Sequence, residues 1–125
     1  MSNIPRSGSF QLMYDEALTA FKMLQEYAFD TLQSCNNSND FSAVRGNFVV
    51  ADEHYKTASG IVAHLALWHA SRVSEKKFTD WTWEERKQDA QIRSLAGMIS
   101  SHMNHLLTVY GIWLRKAQLN AEVDV

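Results

Sequence analysis

The chain has 125 residues, of which 46% are hydrophobic and 21% are charged, as in a folded globular domain rather than a disordered segment. This length is enough for one domain with a core of its own. The formal net charge of −2 excludes the strongly basic composition that broad nucleic-acid binding depends on. With one proline and five glycines, the chain lacks the turn residues that a sheet protein needs roughly every ten residues. The composition therefore predicts an all-α fold.

The cellular location follows from two further features. The lone cysteine, Cys35, has no second cysteine to pair with, and no charged-then-apolar leader opens the sequence. Both features predict a cytoplasmic protein. No stretch approaches the roughly 18 consecutive apolar residues of a membrane span, so we do not expect an integral membrane protein.

The first predicted helix follows a short lead-in. Its apolar residues recur at steps of three and four, as on one face of an amphipathic helix. They are Phe10, Met13, Ala17, Phe21, Leu24, Ala28 and Leu32. This stripe predicts a helix from about Ser9 to about Ser34, and the polar run 36–40 is expected to end it.

The segment 41–60 is the least regular part of the sequence. The Phe-Val-Val run at 48–50 is typical of a short extended piece, and the residues after it are compatible with a helix that breaks or bends near Gly60. Beyond this point the apolar pattern is clear and predicts a second long helix over about 59–77. Whether 41–58 adds a short fourth helix is left open.

A capping box marks the start of the third predicted helix. In Thr82-Trp83-Glu84-Glu85, the Thr82 hydroxyl can accept the amide hydrogen of Glu85 while the Glu85 carboxylate accepts that of Thr82. The helix is predicted over 83–118. Its main apolar face consists of Ile92, Ala96, Ile99, Met103, Leu106, Tyr110, Trp113, Leu114 and Ala117.

Together these elements predict a small antiparallel bundle of three long helices. We expect residues 1–9 to form a flexible lead-in, 10–119 a single helical-bundle domain and 120–125 a frayed tail. Additional apolar residues make the face of the third helix wider than one neighbouring helix would cover: Leu95, Met98, Val109 and Ile112. This surplus predicts a partner, supplied by a fourth helix, by a second copy in a homo-oligomer or by another protein.

Three aromatic residues cluster at the turn between the second and third helices. Phe78, Trp81 and Trp83 either close the end of the core or form an exposed anchor, since tryptophan is enriched in binding hot spots. The residues expected to form an interaction surface are therefore Trp81, Trp83, Met98, Val109, Ile112 and Trp113.

Histidines are the candidates for a chemical site. His102 and His105 are three residues apart on the third helix, so both rings can reach one point beside it, and His64 on the second helix could complete a three-histidine site for a divalent metal such as zinc, nickel or iron. In the alternative interpretation, His102 flanks the core and bonds a carbonyl while His105 faces water. His69 lies on an apolar face and is expected to be a buried structural residue.

A family resemblance supports the metal interpretation. The run from Thr57 to Trp68, Thr-Ala-Ser-Gly-Ile-Val-Ala-His-Leu-Ala-Leu-Trp, resembles the second-helix signature of DinB-like four-helix bundles, and the histidine pair of the last helix adds to the likeness. The resemblance implies a divalent metal held by His64, His102 and His105, and a metal-dependent transferase activity. Ferritin-type di-iron chemistry is excluded, because it requires Glu-x-x-His pairs that the sequence lacks.

No motif points to nucleophilic catalysis or to a phosphate-binding loop, so no catalytic residue is predicted. The sequence favours a non-enzymatic helical interaction module that binds itself or a protein partner through helix 83–118 and the Trp81/Trp83 turn. One alternative is the DinB-like metal protein. The other is a small helical subunit of a nucleoprotein complex, which would need a basic face built from Arg72, Lys76, Arg86 and Arg93.

Overall fold

The structure, a computed structural model, describes residues 7–37 and 40–123, with side chains for 9–37 and 40–119. Within this part of the chain it contains three long α-helices, a short 3₁₀ turn and no strand. The helices are α1 (Ser7–Asn37), α2 (Phe41–Val73) and α3 (Trp83–Val123), and the 3₁₀ turn is Phe78–Asp80. The predicted all-α bundle of three long helices is confirmed.

The first half of α2 corrects the sequence prediction. Residues 41–58 form neither a separate fourth helix nor, at 48–50, an extended piece, because α2 begins at Phe41 and not near residue 59. Gly60 does not break the helix, and its φ is not positive. The helix starts at Phe41 because the Asp40 carboxylate accepts a hydrogen bond from the amide of Ala43 at 3.2 Å, which caps the first turn.

A row of buried side chains explains why this segment is helical. Val44, Ala51, Ala58 and Leu65 follow each other at intervals of seven residues, and all four are fully buried. Seven residues are close to two helical turns, so the row occupies one face of a continuous helix. Burial of this face outweighs the weak helix propensity of the β-branched pair at 49–50.

The other helix ends differ from the predictions by a few residues, as helix boundaries commonly do. Helix α1 already begins at Ser7, inside the expected lead-in, and it continues to Asn37. Helix α2 ends at Val73, four residues before the predicted end. Helix α3 extends to Val123, into the expected tail. The remaining positions of the predicted lead-in and tail, 1–6 and 124–125, lie outside the described residues.

The helices run up, down and up. Helices α1 and α2 are antiparallel, since the ring of Phe10 near the start of α1 packs 5.5 Å from that of Trp68 near the end of α2. At the opposite end, Asn47 donates a hydrogen bond to Ser34 at 3.2 Å. We call the end that carries the α2–α3 connection the turn end, and the opposite one the far end.

The register between α2 and α3 is set by contacts at both ends. His69 of α2 lies beside Glu85 of α3 at the turn end, and Phe48 stacks on Tyr110 towards the far end with ring centroids 4.0 Å apart. Helix α3 runs parallel to α1, where the ring of Phe21 packs edge-on against that of His102.

The core is a single apolar cluster contributed by all three helices. Its largest fully buried residues include Leu24 of α1, Leu65 of α2, and Leu95, Ile99 and Leu106 of α3. Each buried leucine contributes about 1.5–3 kcal/mol through removal of its apolar surface from water. Among the described side chains of α3, Leu106 is the last that is buried, so the final turns of the helix are only partly covered.

Candidate functional site

The predicted capping box is present at the turn end. The Thr82 hydroxyl accepts the amide hydrogen of Glu85 at 3.1 Å, and the Glu85 carboxylate accepts that of Thr82 at 2.8 Å. Lys76 donates to both carboxylate oxygens of Glu85 at 2.9 and 3.0 Å, and Arg72 lies 3.8 Å away. The backbone amide of Thr82 and the Lys76 ammonium lower the pKa of Glu85 to about 2, so this buried carboxylate is ionised at neutral pH. Its role is to fasten the helix start.

Two further basic residues bond close neighbours. Arg86 donates to the backbone carbonyl of Phe78 at 3.0 Å and lies over its ring, which holds the 3₁₀ turn against α3. Arg93 pairs with Asp89 at 3.0 Å, one helical turn away. With Arg72 and Lys76 directed at Glu85, the four residues do not form a free basic cluster. The nucleoprotein alternative therefore gains no support from this face.

The two tryptophans of the turn take different positions. Trp81 is half-buried, and its ring packs edge-on against that of the buried His69, with centroids 5.2 Å apart. Trp83 is 75% exposed, with the Lys87 ammonium over its ring. Trp81 thus closes the end of the core, whereas Trp83 is available as an anchor.

The predicted histidine site is not assembled. His102 has both ring nitrogens engaged: Nδ1 lies 3.0 Å from the Met98 carbonyl oxygen, and Nε2 lies 3.3 Å from the side-chain nitrogen of Gln25. His64 and His105 are exposed. In the part of the chain that the structure describes, which includes all three histidines, no three His, Cys, Asp or Glu side chains form a group that could hold a metal ion.

His69 has the structural role expected for it. The ring is buried, and Nε2 lies 2.7 Å from the backbone carbonyl oxygen of Glu85. A carbonyl oxygen can only accept, so Nε2 carries the hydrogen of this bond.

His54, on the α1-facing side of α2, stacks on Tyr27. Cys35 is half-buried, and its burial raises the pKa of the thiol, which disfavours the reactive thiolate.

The interaction residues predicted on α3 are partly covered. Val109 and Trp113 are half-buried, and Trp113 stacks on Phe41 of α2. Met98 and Ile112 keep 40% and 52% of their surface exposed. The bundle therefore partly buries two of these four residues and leaves the other two exposed.

Exposed apolar side chains on α3 form two flanks. Met98, Ile112 and Leu119 lie at multiples of seven residues, so they share one side of the helix, which we call the outer flank. Leu107 is 47% exposed and lies nearly half a turn round the helix from Met98. It belongs to the side of α3 next to α2, which we call the α2 flank.

A groove between α2 and α3 runs along the α2 flank and contains three cavities. One of about 330 Å³ lies at the turn end, between Ala70 and Trp81 on one side and Ile92 on the other. The next, of about 370 Å³, shares Ala66, Ile92 and Arg93 with the first, so the two form one trough. A third of about 440 Å³ lies at the far end and is lined by Phe41, Arg45, Phe48, Val49, Tyr110 and Leu114.

This groove was missed by sequence reasoning. The walls of its middle cavity include the small residues Ala63, Ala66 and Ala96, which the apolar periodicity treated as ordinary helix formers. No spacing in the sequence marks it, because its walls come from two helices that are distant in the chain.

Within residues 7–37 and 40–123, no helix has the combination of length and apolarity needed to cross a membrane. Comparison of the chain with known protein families, curated proteins and solved structures found no match. The resemblance to DinB-like bundles thus stays a prediction that rests on the residues quoted for it.

Proposed function

We propose that this chain is a non-enzymatic helical protein-interaction module that associates with itself or with a partner protein through α3. The observation that carries the proposal is the apolar surface left on α3 after the bundle has formed. Met98 and Ile112 on the outer flank and Leu107 on the α2 flank are each at least 40% exposed, although α1 and α2 already pack on this helix. Apolar residues arranged in rows along a helix are typical of a docking face.

The turn end adds an anchor to this surface. Trp83 projects from the first turn of α3, immediately after the capping box that fixes the direction of the helix. A large aromatic side chain on a rigid element loses little conformational entropy on binding, so tryptophan makes an efficient contact residue. The capping interactions of Thr82 and Glu85 therefore hold the anchor in a defined position.

The experiment compares two kinds of surface variant by light scattering at tens of micromolar and by capture with the tagged protein as bait. The double variant Leu107→Glu/Ile112→Glu places a charge on each flank of α3. Leu12→Glu is the control, because Leu12 is an apolar residue on α1 that is even more exposed than Leu107 and Ile112. We expect the wild type and Leu12→Glu to form oligomers or capture the same partner, and the double variant to lose that association.

Two outcomes would contradict the proposal. The first is a wild-type chain that is a clean monomer and captures no protein. The second is a double variant that associates as well as the wild type does. Circular dichroism of each variant shows that the fold is retained, which we expect because surface substitutions usually change stability by less than about 0.5 kcal/mol.

A further inference from the structure

Two polar ring atoms in the wall of the turn-end cavity have no hydrogen-bond partner among the described residues. His69 is only 3% exposed, and its Nε2–H donates to the Glu85 carbonyl, so in the neutral ring Nδ1 is a lone-pair acceptor. No described atom donates to this Nδ1. Nε1 of Trp81 is buried and likewise bonds no described acceptor. Buried polar groups in folded proteins are nearly always hydrogen-bonded, so two unpaired ones in one wall require an explanation.

One chemical group satisfies both atoms. The rings of His69 and Trp81 line the same cavity, with centroids 5.2 Å apart and planes crossing at 73°. A hydroxyl group beside them can donate its hydrogen to Nδ1 of His69 and accept one from Nε1 of Trp81, because it is a donor and an acceptor at once. Nε1 is closed to water in its present position, so the indole has to shift towards the cavity to make this bond. The shift breaks no hydrogen bond of the ring, because Nε1 has none.

The surrounding contacts fix the two residues in place. The amide of Trp81 donates to the Phe78 carbonyl at 3.2 Å, and Arg86 donates to the Trp81 carbonyl at 3.4 Å. The ring of Phe78 packs against the indole with centroids 4.9 Å apart, and the bond to Glu85 holds the imidazole. The backbone of this wall is therefore formed before a ligand arrives, which lowers the entropy that binding costs.

The charges of the cavity wall favour a neutral ligand. Its two charged residues are Asp89 and Arg93, and Nε of Arg93 lies 3.1 and 3.0 Å from the two carboxylate oxygens of Asp89. Each charge thus neutralises the other. A charged ligand would have to compete with this ion pair, whereas a neutral ligand leaves it intact.

The remaining walls are apolar and continue into the second cavity. The turn-end cavity of about 330 Å³ and its neighbour of about 370 Å³ share Ala66 and Ile92 and form one trough. Each volume lies in the range of small-molecule sites, about 300–1,000 Å³. From Val73 to Ser59 the trough follows fourteen residues of α2, which corresponds to about 21 Å. Water could bond the two ring atoms, but only an apolar body gains free energy from these walls.

We propose that this trough binds a neutral, apolar small molecule that carries one hydroxyl group, such as an apolar alcohol or a phenol. The hydroxyl lies at the turn end, where it donates to Nδ1 of His69 and accepts from Nε1 of Trp81. The apolar body lies between Ala66 and Ile92 and extends towards the second cavity. This inference does not depend on the proposed association, because both walls of the trough belong to one chain.

The test compares two ligands that differ in one hydrogen-bond donor. para-Propylphenol carries the hydroxyl, and para-propylanisole keeps the oxygen and the apolar body but has no hydrogen to donate. Each is titrated into isotope-labelled wild-type protein, and the amide and indole N–H signals are followed by NMR. We expect the phenol to shift the indole signal of Trp81 and the amide signals of Ala66 and Ile92, while the indole signal of Trp113 at the far end stays in place. The dissociation constant of the ether should be at least about fivefold higher, since Nδ1 of His69 then remains unpaired.

A pair of alanine substitutions locates the bound ligand. Ala70→Leu places a larger side chain in the turn-end cavity, and Ala90→Leu makes the same change at a position that lines neither cavity of the trough. Both alanines are exposed, so we expect both variants to keep the fold, which circular dichroism checks. Ala70→Leu should raise the dissociation constant of the phenol by at least about tenfold, and Ala90→Leu should leave it unchanged.

Three outcomes would overturn the inference. The first is a phenol that shifts no signal of the trough, which would leave water as the partner of the two ring atoms. The second is an ether that binds as tightly as the phenol, because His69 then contributes no hydrogen bond. The third is an Ala70→Leu protein that binds the phenol as the wild type does. If Ala70→Leu does not fold, the comparison of the two ligands in the wild type decides alone.

Discussion

The Nε2 atom of His69 lies 2.7 Å from the backbone carbonyl oxygen of Glu85, and this bond joins the last turns of α2 to the first turn of α3. Both residues are buried. The Glu85 carboxylate binds Lys76, which follows α2, and caps α3 through the amide of Thr82. Glu85 thus contacts residues on both sides of the α2–α3 connection, so the position of α3 depends on the contacts that Glu85 makes.

Replacing His69 by phenylalanine should weaken the α2–α3 connection while keeping an aromatic ring at this position. The variant loses one buried hydrogen bond, which contributes about 0.5–1.5 kcal/mol to the free energy of unfolding. Urea denaturation followed by circular dichroism measures the loss. His64→Phe, at an exposed position of the same helix, is the control and should change stability by less than about 0.5 kcal/mol. Equal stability of the two variants would show that the bond contributes nothing.

The low pKa of Glu85 predicts a stability difference that depends on pH. Its pKa falls from the usual 4.5 to about 2 on folding, so the ionised carboxylate stabilises the fold fully above pH 4.5. As the pH falls from 4.5 towards 2, Glu85 becomes protonated in the unfolded chain but stays ionised in the folded chain. Its contribution to the free energy of unfolding therefore decreases over this range. We expect the stability advantage of the wild type over Glu85→Gln to be constant near neutrality and to shrink over that window.

Denaturation of both proteins between pH 7 and pH 2 measures this difference. Lys76→Met is an informative third protein, because it removes one donor to Glu85 and leaves the amide of Thr82 in place. The pH-dependent part of the free energy of unfolding should then be smaller in Lys76→Met than in the wild type, but it should not be zero. A difference between the wild type and Glu85→Gln that does not change with pH would contradict the assignment.

The features that the sequence predicted correctly depend on near neighbours in the chain. The capping box needs only residues 82–85, and the stripe of α1 repeats within two turns, so local spacing identifies both. The first half of α2 was misassigned because 48–50 has local strand propensity, whereas its helical state depends on burial in the bundle. The intervals of seven from Val44 to Leu65 were visible in the sequence, but two of the four residues are alanines and give a weak apolar signal.

The groove could not be predicted, because it is a property of two helices together. Sequence spacing shows that Ala66 and Ile92 lie inside helices, but only the register between α2 and α3 places them in the walls of the same cavities. In the same way, the separation of His102 and His105 in the sequence permits chelation, yet it does not reveal that Gln25 of α1 reaches the His102 ring. Contacts between distant segments decide both cases.

Proline at position 49 tests the continuity of α2. Val49 is partly exposed and lies more than two turns inside the helix, so Val49→Pro should remove a backbone hydrogen bond and cost about 3 kcal/mol or more. Val49→Ala keeps the backbone amide and should be nearly neutral. Urea denaturation and helical content by circular dichroism compare the two variants. If 48–50 were extended, both substitutions would be tolerated equally.

Metal analysis of protein purified without a histidine tag tests the DinB-like alternative. In the structure, the Gln25 side chain donates to Nε2 of His102 while Nδ1 donates to the Met98 carbonyl, so a metal ion at Nε2 would have to displace Gln25. We therefore expect less than one zinc, nickel or iron per chain and the same content in His102→Ala. Gln25→Ala sharpens the test, because it frees Nε2 and should raise the affinity for added zinc if any affinity exists. One metal per chain that is lost in His102→Ala and in His64→Ala would instead establish the three-histidine site, and it would require the ring of His102 to turn away from Gln25.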